Sequence, residues 1–181
     1  RVANTKLEGT QEGARMNGIG AQFQATLDLV DQLTASERAF REVAEEVVRH
    51  LRASYPHYTW VGIYMVEGEV LRLWAWDGPA PTEHVEIPLH AGVCGWAAST
   101  GQIANVPDVS KDERYLQCFL STRSELVVPI RHGEEVYGEI DIDSDRLAAF
   151  GPEDERFLTE LCDRLGALAA AQGLVGHRPG A

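Results

Sequence analysis

The stretch YTWVGIYMVEGEVLRLWAW, residues 58–76, decides the fold. Its side chains alternate with the period of two that a strand imposes. Trp60, Gly62 and Tyr64 share one face, and Val61, Ile63 and Met65 share the other. Glu67-Gly68 interrupts the run as a tight turn, and Val70 to Trp76 reads as the returning strand. The aliphatic face suits a covered core. The Trp/Tyr face suits either ordinary packing or the wall of a pocket for a small organic molecule.

Upstream, the period lengthens. Ile19, Phe23, Leu27, Val30 and Leu33 form a helical stripe. Thr34 and Glu37 have the spacing of a capping box, which predicts the start of a second helix. That helix carries Phe40, Val43, Ala44, Val47, Val48 and Leu51 on one face and ends before Pro56.

Downstream of the hairpin, Val85 to Leu89 reads as a short edge strand. Gly92-Val-Cys-Gly95 opens a short helix, Trp96 to Thr100, which Gly101 closes. Ile103 to Val106 is a further strand, and residues 108–124 read as an irregular loop with one helical turn. Glu125 to Arg131 and Glu135 to Asp143 form a second hairpin. Gly151-Pro152 starts a last helix with Phe157, Leu158, Leu161, Cys162, Leu165 and Leu168 on its apolar stripe.

Strands joined by hairpins predict an antiparallel sheet and an α+β fold. The N- and C-terminal helices are expected on one sheet face, with a loop-covered pocket on the other. The expected division is a flexible leader over 1–17, a domain over 18–172 and a flexible tail over 173–181.

A net charge of −12 over 181 residues argues against nucleic acid, whose binding rests on Lys and Arg at phosphates. No apolar run approaches the ~20 residues that span a bilayer, so no membrane is expected. The odd count of three cysteines is no disulfide framework, which points to a reducing, cytoplasmic setting. The six histidines show no metal spacing with cysteine, and no phosphate-binding glycine loop is present, so neither a metal nor a cofactor is expected.

Glu139, Asp141 and Asp143 alternate onto one face of their strand, with Ile140 and Ile142 on the other. The face is either a solvated surface or a pocket that holds an ammonium group or shares a proton. A Mg²⁺ or Ca²⁺ site is a weaker reading of the same Asp-x-Asp. Cys162 on its apolar stripe reads as a buried, inert thiol. Cys94 stands beside a helix N-terminus, where backbone N–H groups favour a thiolate. Cys118 stands in the loop. Spacing alone does not bring Cys94 and Cys118 within bonding range.

Taken together these segments resemble the GAF domain family, and more narrowly its free methionine-(R)-sulfoxide reductases. The matching stretches are Trp60-Val-Gly-Ile-Tyr64, Ile87-Pro-Leu-His-Ala-Gly-Val-Cys-Gly95, Asn105-Val-Pro-Asp-Val109, Cys118, Ser124-Glu-Leu-Val-Val-Pro129, Gly138-Glu-Ile-Asp-Ile-Asp-Ser144 and Phe150-Gly-Pro-Glu-Asp-Glu155. The resemblance implies thiol-dependent reduction of free methionine-(R)-sulfoxide. Cys118 is the implied nucleophile and Cys94 the implied resolving cysteine, with a thioredoxin-like protein as reductant. Glu125, Asp141 and Asp143 are implied to hold the substrate and assist protonation of its oxygen, and Trp60 and Tyr64 to form an aromatic wall. The resemblance and the N-terminal helix suggest a homodimer. One departure is His84, where many members carry a further cysteine, which leaves Cys94 as the only resolving candidate. A GAF sensor that binds a small ligand without chemistry is the alternative.

Overall fold

The computed structural model describes residues 5–117 and 119–180, with side chains described from residue 18 onward. Among the described residues four helices and six strands follow in the order α1 (Thr5–Thr34), α2 (Phe40–Ser54), β1 (Trp60–Glu67), β2 (Val70–Asp77), β3 (Glu86–Pro88), α3 (Gly92–Thr100), β4 (Ala104–Val106), β5 (Ser124–His132), β6 (Glu135–Ser144) and α4 (Pro152–Ala171). A 3-10 turn at Val109–Lys111 is the one helical turn expected in the 108–124 loop. The strands form one sheet in the order β3-β2-β1-β6-β5-β4. Every neighbouring pair is antiparallel. The α+β layout is the expected one.

The two faces of β1 separate as their residues dictate. Val61, Ile63 and Met65 enter a large apolar core with residues of α1, α2 and α4, among them Val30, Val47, Leu158 and Leu165. Trp60 and Tyr64 enter a second, smaller cluster with Val93, Cys94 and Ala97 of α3 and with Val127 of β5. The helix α4 lies close on β5, because Gly166 has no side chain: a Cβ there would run into the Arg131 carbonyl.

The element ends differ from the sequence reading in three places. The helix α1 begins at Thr5, not near residue 19, and takes in most of the segment read as a leader. Thr34 closes α1 and does not cap α2; its hydroxyl donates to the Asp31 carbonyl. The cap of α2 is instead Glu42, whose carboxylate accepts the Ala39 N–H at 2.9 Å, so the capping pattern sits five residues later. The segment read as a flexible tail folds back on the sheet. His177 and Val136 exchange two backbone hydrogen bonds of 2.8 Å each.

Candidate active site

The second cluster holds the candidate site. The loop–helix junction before Cys94 is shaped by its glycines. Gly92 has φ +71°, a left-handed conformation that side-chained residues seldom adopt. Gly95 lets the preceding loop cross directly over the helix: a Cβ there would sit 2.7 Å from the Pro88 carbonyl oxygen and 2.9 Å from the His90 nitrogen. The result places Cys94 in the first turn of α3, buried and facing the sheet. Its Sγ lies 4.0 Å from Glu125 Oε1.

Strand register assembles the carboxylates. On β6, Asp143 pairs with Trp60 of β1 and with Glu125 of β5, Asp141 with Gly62 and Val127, and Glu139 with Tyr64 and Pro129. Residues alternating along β6 and directly opposite on β5 project to the same face. That face is not solvated. Glu125, Glu139, Asp141 and Asp143 are all buried, with Glu139 at 0% and Asp141 at 1% exposure. Among the described residues no salt bridge reaches any of them. Both Glu139 oxygens, Glu125 Oε2, Asp141 Oδ1 and Asp143 Oδ2 lack a hydrogen-bond partner.

Four buried carboxyls in one place cannot all be ionised, because burial and mutual repulsion both favour the protonated form. Burial pushes Glu125 well above the usual carboxylate range, and the charges of Asp141, Asp143 and Glu139 add to it. Burial does the same to Glu139 and Asp143, with Asp141 as the next contributor. Asp141 is pushed up to about 7 by burial, against hydrogen bonds from Cys94 and Glu125. The cluster therefore holds dissociable protons near neutral pH and attracts a cation.

Trp60 and Tyr64 both lie in this second cluster, on the same side of the sheet as the carboxyls. Tyr64 is fully buried, and its hydroxyl donates to the His84 carbonyl at 2.9 Å. The Trp60 indole folds over Gly62 and Gly78, where a Cβ would strike the ring. It packs against Trp76 in a near-parallel stack, with centroids 6.4 Å apart, and against Phe119 at 6.0 Å. The His84 ring reaches the Gln117 carbonyl at 3.4 Å. Cys118 lies outside the described residues. Cys162 is buried in the main core, its thiol directed at the Val128 carbonyl, as its apolar stripe predicts.

The site thus brings together Cys94, Glu125, Asp141, Asp143, Trp60 and Tyr64. The alternation along the strand places Glu139 beside Asp141 and Asp143, but the family resemblance implies a substrate role only for the latter two and for Glu125. Trp76 and Phe119 carry no sequence signal for the site, since their contacts with Trp60 depend on how the loops close.

The GAF domain family matches residues 23–168. The chain is 30% identical over 150 residues to free methionine-R-sulfoxide reductase of Escherichia coli, covering 82% of this chain and 90% of that protein. The type II free methionine-R-sulfoxide reductase of Thermoplasma acidophilum superposes with a TM-score of 0.69 at 42% identity, over 74% of this chain and 96% of that one. The Neisseria meningitidis enzyme, solved in complex with its substrate, superposes with a TM-score of 0.76 at 29% identity, over 82% and 89%. A putative GAF sensor protein from Burkholderia vietnamiensis is also similar, with a TM-score of 0.78 at 28% identity, over 84% and 96%.

Proposed function

We propose that this chain, which belongs to the GAF domain family and within it to the free methionine-R-sulfoxide reductases, reduces free methionine-(R)-sulfoxide to methionine. One observation carries the reading: four buried carboxyls with unpartnered oxygens stand beside a cysteine and behind an aromatic wall. A free amino acid brings an ammonium group, which the ionised members of the cluster can hold. Its sulfoxide oxygen leaves only once protonated, and the protonated members can supply that proton.

The Cys118 thiolate attacks the sulfoxide sulfur. The oxygen accepts a proton from the carboxyl cluster, with Asp141 the best placed by its pKa near 7. The hydroxyl then shifts from the methionine sulfur to the Cys118 sulfur as the S–S bond breaks, its electron pair returns to the methionine sulfur, and methionine departs as the thioether, leaving Cys118 as a sulfenic acid. The Cys94 thiol then attacks that sulfur, water leaves, and a Cys94–Cys118 disulfide forms. A thioredoxin-like dithiol returns both to thiols. Support for Cys118 comes from its neighbours in sequence: Phe119 packs on Trp60, and the Gln117 carbonyl meets His84. A homodimer formed through α1 completes the reading.

The likeness to a GAF sensor favours a second reading, ligand binding without turnover. Substrate discrimination separates them. The chain is expected to turn over free methionine sulfoxide and to leave N-acetylmethionine sulfoxide, which lacks the ammonium charge, at least about 100-fold slower. Equal rates on both would contradict the role given to the carboxyls, and no turnover of either would leave the sensor.

A further inference from the structure

The site contains a donor set that neither the sequence spacing nor the reductase reading assigns. Cys94, Glu125 and Asp141 each offer one ligand atom, and these three atoms lie within 4.8 Å of one another. They come from α3, β5 and β6, which is why no metal spacing is visible along the chain. All three residues are buried. Asp141 Oδ1 and Glu125 Oε2 have no hydrogen-bond partner, and neither oxygen of the adjoining Glu139 has one. These four oxygens thus lack the partners that burial ordinarily demands.

We propose that Cys94, Glu125 and Asp141 form a binding site for one thiophilic divalent cation, Zn²⁺ foremost, in place of the substrate. The donor chemistry selects the metal. A cysteine sulfur disfavours Mg²⁺ and Ca²⁺ and suits Zn²⁺, while two carboxylate oxygens complete a three-ligand set with one position open. Tetrahedral Zn²⁺ needs its sulfur and oxygen ligands roughly 3.4–3.6 Å apart. The Cys94–Glu125 separation is 4.0 Å and no pair of the three ligand atoms is more than 4.8 Å apart, so a contraction of about 1 Å brings the set to that spacing. Binding replaces the Cys94 thiol proton and the cluster's shared protons with the metal. It occupies carboxyls that the proposed function gives to the substrate, and that exclusion alone rests on the reductase reading.

Co²⁺ serves as the spectroscopic probe, added to the full chain with its thiols kept reduced by a phosphine. The expected result is a thiolate-to-cobalt charge-transfer band saturating at one equivalent and bleached by one equivalent of Zn²⁺. Cys94→Ser is expected to abolish the band. The near-isosteric Asp141→Asn and Glu125→Gln are expected to weaken Zn²⁺ binding, measured by chelator competition, by about tenfold or more. Cys162→Ser is expected to leave the band unchanged. Free methionine sulfoxide in excess is expected to displace the cation. Absence of the band, or its survival in Cys94→Ser, would overturn the site. Turnover is not part of this readout. A chain inactive on sulfoxide but showing the band keeps the site, and an active enzyme without the band loses it.

Discussion

At the scale of single residues, Asp141 is the most informative group. Its carboxyl is buried, faces Cys94 and Glu125, and is pushed up to about 7 by burial. If it donates the proton that the sulfoxide oxygen needs, the protonated form is the active one. The expected kcat/KM is therefore highest below pH 7 and falls as pH rises through about 7. Asp141→Asn keeps the shape and removes the proton, so kcat is expected to drop by about 10²–10⁴-fold with that limb of the pH profile lost. Steady-state rates from pH 5.5 to 8.5 for both proteins check it; an unchanged profile in the variant would assign the proton elsewhere.

The same residues show how far sequence reaches. Alternation along β6 identifies the carboxylate face, but not what covers it. A polar strand face is ordinarily wet, and the burial of Glu139, Asp141 and Asp143 depends on α3 and the loops closing over the sheet. Those contacts span distant segments, such as Phe119 on Trp60, and leave no local pattern. Cys94 has the opposite history. The Gly-Val-Cys-Gly segment announces a helix start, and the structure adds that its thiol faces carboxyls as well as a helix N-terminus.

At the scale of elements, the strands were legible because their period is local. Both hairpins are found with ends within a residue or two of the periodicity. Helix starts were less legible. Thr34 and Glu37 have the right residue types for a capping box, but Glu42 reaches back to Ala39 and sets the start of α2. Two overlapping cap patterns cannot be ranked without the turn that separates α1 from α2. The placement of α3 yields a prediction. In Gly95→Ala the new methyl meets backbone atoms of Pro88 and His90 that cannot rotate away, so α3 must shift and carry Cys94 with it. The expected cost is about 1–3 kcal/mol of stability, with activity lost beyond what the unfolded fraction explains. Denaturant unfolding alongside activity at a fully folded concentration of denaturant tests this; a variant with native activity would show that the crossing is not needed.

At the scale of the whole molecule, the sheet divides two jobs. One face, under α1, α2 and α4, carries the main apolar core. The other carries the site, and its buried carboxyls reduce stability in a pH-dependent way. Glu125, Glu139, Asp141 and Asp143 all hold protons more tightly folded than unfolded. Their contribution is therefore fully present below the ordinary carboxylate range, about 4, and is lost as pH rises through about 7 and above. Tm is expected to fall from pH 5 to pH 8, and Asp141→Asn is expected to flatten that slope. A Tm that rises over this range would contradict the burial of the cluster. No helix among the described residues is long and apolar enough to cross a membrane.

The chemistry assigned to the whole chain rests on a thiol that attacks one epimer of a free amino acid sulfoxide. The direct test supplies reduced thioredoxin, or dithiothreitol, with both epimers of free methionine sulfoxide and follows each by chiral separation. The R epimer is expected to be consumed and the S epimer spared, with all consumption lost in Cys118→Ser. Consumption of both epimers alike, or activity that survives Cys118→Ser, would contradict the account.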